Sequence, residues 1–152
     1  MNNVNFLFVT LFGIGKLKKI PGSYASLVTT IFLFILFHVF NFSPNIVLIF
    51  IILIFLISLY AINIFIKNFD NKDPKEIVID EFIGQSIVLI FLPLTLQNYI
   101  LGFVFFRIFD IYKPMPINYF EKKYPNAFGV IFDDIIAAGY ALLAIYIINI
   151  II

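Results

Sequence analysis

The chain has no cysteine, no tryptophan and a single histidine, His38, and only 12% of its 152 residues are charged. The lack of cysteine excludes disulfides, thiolate metal ligands and a cysteinyl-phosphate intermediate. Soluble domains carry about 25% charged residues. The low charge here, with 62% hydrophobic residues and a mean hydropathy of +1.07, marks a chain dissolved in lipid. A net charge of +1 gives a nucleic-acid role no electrostatic support. The first apolar stretch, 4–12, has no basic residue before it and no small-residue cleavage site after it, so a cleavable signal peptide is not expected.

What the sequence does have is long apolar runs. Five stand out, at 25–40, 46–66, 77–94, 96–111 and 130–152. The second is long enough to cross about 30 Å of hydrocarbon at 1.5 Å per residue. The first and fourth are short for a full span. The stretch 4–12 is too short to cross and predicts an interfacial or re-entrant helix. The expectation is one all-α domain over 1–152, a polytopic membrane bundle of about five embedded helices plus the short N-terminal one.

The connections then alternate between two faces. Segments 13–24, 67–76 and 112–129 fall on one face; 41–45, 95–98 and the C-terminus fall on the other. All nine lysines lie on the first face, with Arg107 one helical turn inside it. The positive-inside rule makes that face cytoplasmic. Orientation alone accounts for Lys67, Lys72, Lys122 and Lys123. It does not account for the acids, all nine of which share that face. Asp80 and Glu81 sit inside an apolar run, Asp110 sits between Phe109 and Ile111, and Asp133 and Asp134 head the last segment. A carboxylate at such depth is expensive and marks a functional site. For Asp73 and Glu76 an N-terminal capping box around Pro74 is the simpler reading. His38, near the far face, reads as structural.

Carboxylates converging from several helices suit a hard, octahedral cation such as Mg²⁺, which takes oxygen ligands and completes its shell with water and substrate phosphate. Asp80, Glu81, Asp133 and Asp134 are the candidate ligands. Neighbours on a helix point about 100° apart, so each pair should turn one acid inward, Asp80 and Asp134, and keep the other as its support. Arg107, Asp110 and Lys113 recur at three-residue spacing on one face. Arg107 suits bidentate phosphate binding and Lys113 suits a point charge. Lys16, Gly22 and Ser23 lie in a basic, glycine-containing turn before a helix start, where backbone N–H groups bind anions. Catalytic candidates are thus Asp80, Asp110, Asp134, Arg107 and Lys113. With no histidine among these groups and no D-x-D-x-T pattern, metal-assisted hydrolysis of a phosphate ester is the remaining chemistry.

Four stretches carry a family resemblance: GIGKLKKIPGSYASL (13–27), IVIDEFIGQ (77–85), FRIFDIYKPMP (106–116) and GVIFDDIIAA (129–138). In order and spacing the chain resembles the phosphatidylglycerophosphatase A family. The resemblance implies a bundle of about six helices, a bacterial cytoplasmic-membrane location and Mg²⁺-dependent hydrolysis of the lipid phosphatidylglycerophosphate to phosphatidylglycerol and phosphate. It points to Asp80, Glu81, Arg107, Asp110, Lys113, Asp133 and Asp134, with Pro21, Gly22 and Ser23 in the phosphate-side turn. Ala25 stands where glycine is usual, and Glu76 where an acid is not constant.

Other classes remain alternatives: a cation-coupled small transporter, or a non-catalytic membrane subunit using the charged face for docking. A CDP-alcohol transferase would need a D-G-x-x-A-R pattern that this sequence lacks. Nothing in the sequence fixes an oligomeric state.

Overall fold

The computed structural model describes residues 3–67 and 75–151, with all regular structure helical among them. Seven α-helices follow in order: α1 (Asn3–Val9), α2 (Pro21–His38), α3 (Pro44–Ile66), α4 (Ile79–Ile90), α5 (Leu96–Tyr112), α6 (Ile117–Lys123) and α7 (Ala127–Ile151), with a 3-10 turn at Ile14–Lys16. Local chemistry sets most of the boundaries. Pro21 and Pro44 occupy first turns, where a missing N–H does no harm. The Ser43 hydroxyl accepts the Ile46 N–H at the head of α3, and Thr95 does the same for Asn98 at the head of α5.

Three helices, α2, α3 and α7, are long and apolar enough to cross a membrane. The bundle differs from a soluble protein in being apolar outside as well as inside. Ile49, Phe50, Leu53, Leu56 and Ile57 of α3 point outward. Ser26, Thr29, Ser58, Gln85 and Ser86 are buried. Several of the inner hydroxyls fold back onto the preceding turn: Ser26 donates to the Gly22 carbonyl at 3.0 Å, Thr29 to Ala25 at 2.8 Å and Ser86 to Phe82 at 2.7 Å. Such an exterior fits lipid rather than water.

The central element is α4, packed by α2, α3, α5 and α7. At 12 residues it is shorter than the 77–94 run predicts and, at about 18 Å, shorter than the hydrocarbon core. At its start the Val78 N–H donates to the Val9 carbonyl (3.1 Å), which ties residues 76–78 to the end of α1 instead of a helical turn. At its end the chain bends at Phe91 and Leu92 before Pro93. Glu76 therefore precedes the helix and closes no capping box on it; Asp73 lies outside the described residues. A further departure is α6, within a segment that reads as a connection; it is anchored by the fully buried Ile117.

Among the described residues, the N-terminal ends of α2, α4 and α7 and the C-terminal ends of α3 and α5 meet the connecting segments bearing Lys16, Lys18, Lys19, Lys67, Lys75 and Lys113, and α6 with Lys123 at its end. His38 lies at the other end, 4.6 Å from the Phe34 ring and 5.7 Å from that of Tyr99.

Gly84 permits a close approach at the centre of the bundle. A Cβ there would lie 2.7 Å from the buried Phe106 ring and 3.0 Å from the Asp134 carbonyl. Gly139, on the outer face of α7, has nothing within 4 Å. We expect Gly84→Ala to lower stability in detergent by about 1–3 kcal/mol, and Gly139→Ala to leave it unchanged or slightly raised. Thermal unfolding of the two variants checks this; equal behaviour would contradict the packing described.

Candidate active site

Where the α2, α4, α5 and α7 ends converge, a cavity of about 350 Å³ opens among the lysine-bearing loops. Its wall holds Asp80, Glu81, Asp110, Asp133 and Asp134, facing Arg107, Lys113 and Lys75. Five carboxylates against three cationic groups leave a formal excess of two negative charges. Four of the five acids are buried, and Glu81 is partly so.

Each helix contributes in its own way. In the first turn of α4, Asp80 and Glu81 sit where the helix dipole favours acids. From α7 comes Asp134, and one oxygen each of Asp80, Glu81 and Asp134 lies within 4.8 Å of the others. Glu81 Oε2 and Asp134 Oδ2 are buried without a hydrogen-bond partner. Orphaned buried carboxylate oxygens are costly unless a cation meets them. This all-oxygen donor set fits Mg²⁺.

The cationic side is built on α5. Arg107 pairs with Asp110 one turn on, lies 3.8 Å from Glu81 Oε1 and donates to Ser26 Oγ at 3.4 Å. Its Nε is buried without a partner. Lys113 closes α5 in the left-handed region, φ 44° and ψ 60°, and from there its Nζ reaches Asp133 Oδ2 at 2.6 Å. Asp133 Oδ1 accepts the Asp134 N–H at 3.0 Å. On the α2 side Ile20 is also left-handed, φ 44°, strained for a β-branched residue. That turn brings Pro21, Gly22 and Ser23, at a helix N-terminus suited to anions, to the cavity wall.

This constellation suits phosphate-ester chemistry, and the comparisons with known proteins point to a phosphatase family. The phosphatidylglycerophosphatase A family model matches residues 7–149. A Haemophilus influenzae protein named phosphatidylglycerophosphatase A is 39% identical over 147 residues, covering 96% of this chain and 88% of the relative. One of the same name from Escherichia coli is 32% identical over 139 residues, covering 90% and 78%. No solved structure matches the chain. The chain belongs to the phosphatidylglycerophosphatase A family.

Of the residues singled out from the sequence of this phosphatidylglycerophosphatase A family member, Asp80, Glu81, Arg107, Asp110, Lys113, Asp133, Asp134, Gly22 and Ser23 line one cavity. Three placements differ from expectation. Both acids of the α4 pair reach the cluster, because Gly22 leaves the room: a Cβ there would overlap Glu81 Oε1. Asp133, expected among the metal ligands, is held on Lys113 and the Asp134 N–H, outside the three-carboxylate group. Lys16, expected to bind phosphate, lines a neighbouring cavity, its Nζ 4.4 Å above the Phe6 ring. Lys75 and Ser26 join the site without having stood out in the sequence. The i+4 spacing of Ser26 from Gly22 was the available signal; Lys75 looks like any loop lysine.

Breaking the Lys113–Asp133 pair would strand a buried carboxylate. Lys113→Met should destabilise the protein by about 2–4 kcal/mol, toward the lower end because Lys113 is 24% exposed. The double variant Lys113→Met/Asp133→Asn should recover most of the loss. A harmless single variant, or a double variant as unstable as the single, would contradict the pairing.

Proposed function

We propose that this protein hydrolyses the phosphate monoester of phosphatidylglycerophosphate to phosphatidylglycerol and inorganic phosphate, with Mg²⁺, at the cytoplasmic face of a bacterial inner membrane. The observation that carries the reading is the meeting of Asp80, Glu81 and Asp134 with Arg107 in one cavity at the lysine-rich end of an apolar bundle. The names of the relatives supply the substrate. The lysines at that end supply the sidedness. In this reading α2, α3, α4, α5 and α7 are embedded in the membrane and α1 lies at its surface.

Asp80, Glu81 and Asp134 would hold the ion. When bound, Mg²⁺ supplies Lewis-acid charge at the phosphoryl oxygens and lowers the pKa of water. The chain's own groups do the rest. Arg107, held by Asp110, presents its Nε to a phosphate oxygen, and Lys113, held by Asp133, adds a fixed positive charge. The N-terminal turn of α2 receives a further oxygen through Gly22 and Ser23. Water attacks phosphorus in line and gives a proton to a carboxylate of the cluster; the P–O ester bond breaks, and the proton passes to the departing alkoxide, which leaves as the lipid alcohol. A transport reading has less support: no Asp or Glu of the described helices lies at the opposite end.

Purified protein in detergent should release phosphate from phosphatidylglycerophosphate with Mg²⁺ and cease with a chelator. Asp80→Asn should lose activity by roughly a hundredfold or more while remaining folded. Release that survives both the chelator and the substitution would overturn the proposal.

A further inference from the structure

A second cavity, of about 270 Å³ and with no polar surface, lies between α2 and α5. Its walls continue the two helix stripes that enter the active site. On α2 the stripe runs Ser23, Leu27, Thr30, Phe34, at positions i, i+4, i+7 and i+11. On α5 it runs back from Arg107 through Phe103 and Ile100 to Leu96, the same spacing in reverse. Ser23 and Arg107 line the carboxylate cavity, and the other six line the apolar one. The Arg107–Ser26 hydrogen bond joins the two helices at the boundary between the cavities. Thr30 does not interrupt the apolar wall, since its hydroxyl donates to the Ser26 carbonyl at 2.8 Å.

From this continuity we infer that the α2–α5 groove is the binding site for an acyl chain of the lipid whose head group occupies the active site. The inference rests on the lipid phosphatase reading above and adds where the lipid's tail lies. From Arg107 to Leu96 the helix rises about 16 Å, close to the roughly 15 Å depth of one leaflet. A chain leaving the head group at Arg107 thus stays in the groove along α5 toward the opposite end of the bundle, where Tyr99 packs against Phe34 and His38. The groove is open on one side, with Ile31 and Ile100 each about half exposed, so a lipid enters laterally from the bilayer.

The absence of tryptophan gives a clean test. Leu27→Trp places a reporter in the groove, and Ile57→Trp places one on the outer face of α3, away from it. Each variant is reconstituted with Mg²⁺ in phosphatidylcholine vesicles holding a minor fraction of a non-hydrolysable phosphonate analogue of phosphatidylglycerophosphate brominated on its acyl chains. The groove tryptophan should be quenched several-fold more than the α3 control, and the unlabelled analogue should reverse the difference. Equal quenching at the two positions would mean that only bulk lipid contacts the groove, and would overturn the inference.

A kinetic arm separates this failure from that of the parent reading. Thr30→Phe, which fills the groove, should lower kcat/KM for the dioleoyl substrate roughly tenfold and leave that for the dihexanoyl substrate nearly unchanged. An equal fall for both, or no fall for either, would contradict the groove assignment. Wild-type protein that hydrolyses neither substrate would instead contradict the phosphatase reading.

Discussion

The constraint on which the rest of this structure depends is the charge balance of one cavity inside an apolar bundle. Five carboxylates and three cationic side chains share it. At that depth each acid must be met by a cation or a donor. Arg107 answers Asp110, and Lys113 answers Asp133. Asp80, Glu81 and Asp134 come together as a group, Glu81 Oε1 3.8 Å from Arg107, and Glu81 Oε2 and Asp134 Oδ2 have no hydrogen-bond partner. A divalent cation would meet the formal excess of two charges. On the proposed reading, that imbalance is what a bound Mg²⁺ would offset.

Much of the surrounding fold can be understood as what holds that group together. α4 is short and central, so its first turn lies at the charged end rather than out in a loop. The Val78–Val9 hydrogen bond fixes where that turn begins. Gly84 lets α4 close on α5 and α7, and Gly22 leaves space for Glu81. Left-handed residues at Ile20 and Lys113 turn the start of α2 and the end of α5 to the cavity wall.

How much of this could be read in advance follows from which forces act locally. The apolar runs, the proline-marked starts of α2 and α3 and the gathering of charge at one end are properties of sequence order, and the structure has them. The convergence of Asp80, Arg107, Asp110 and Asp134 was legible too, because an acid inside an apolar run is too costly to keep unless something meets it. The short α4 was not legible: residues 77–94 are apolar but for Asp80, Glu81 and a few polar side chains, and the hydrogen bond from Val78 to Val9 that holds residue 78 outside the helix is tertiary. The separate roles of Asp133 and Asp134 were hidden as well, since they depend on the left-handed turn that aims Lys113. α6 was missed because a helix anchored mainly by Ile117 has little periodicity to show.

The most direct test of the charge-balance account is thermal unfolding of the detergent-purified protein as a function of Mg²⁺, beside Asp134→Asn. Mg²⁺ at a hundred times its dissociation constant should stabilise the wild type by about 2.7 kcal/mol. The variant, relieved of one buried charge, should unfold at a higher temperature than metal-free wild type and respond little to Mg²⁺. A wild type indifferent to Mg²⁺, or a variant stabilised as strongly as the wild type, would contradict the account.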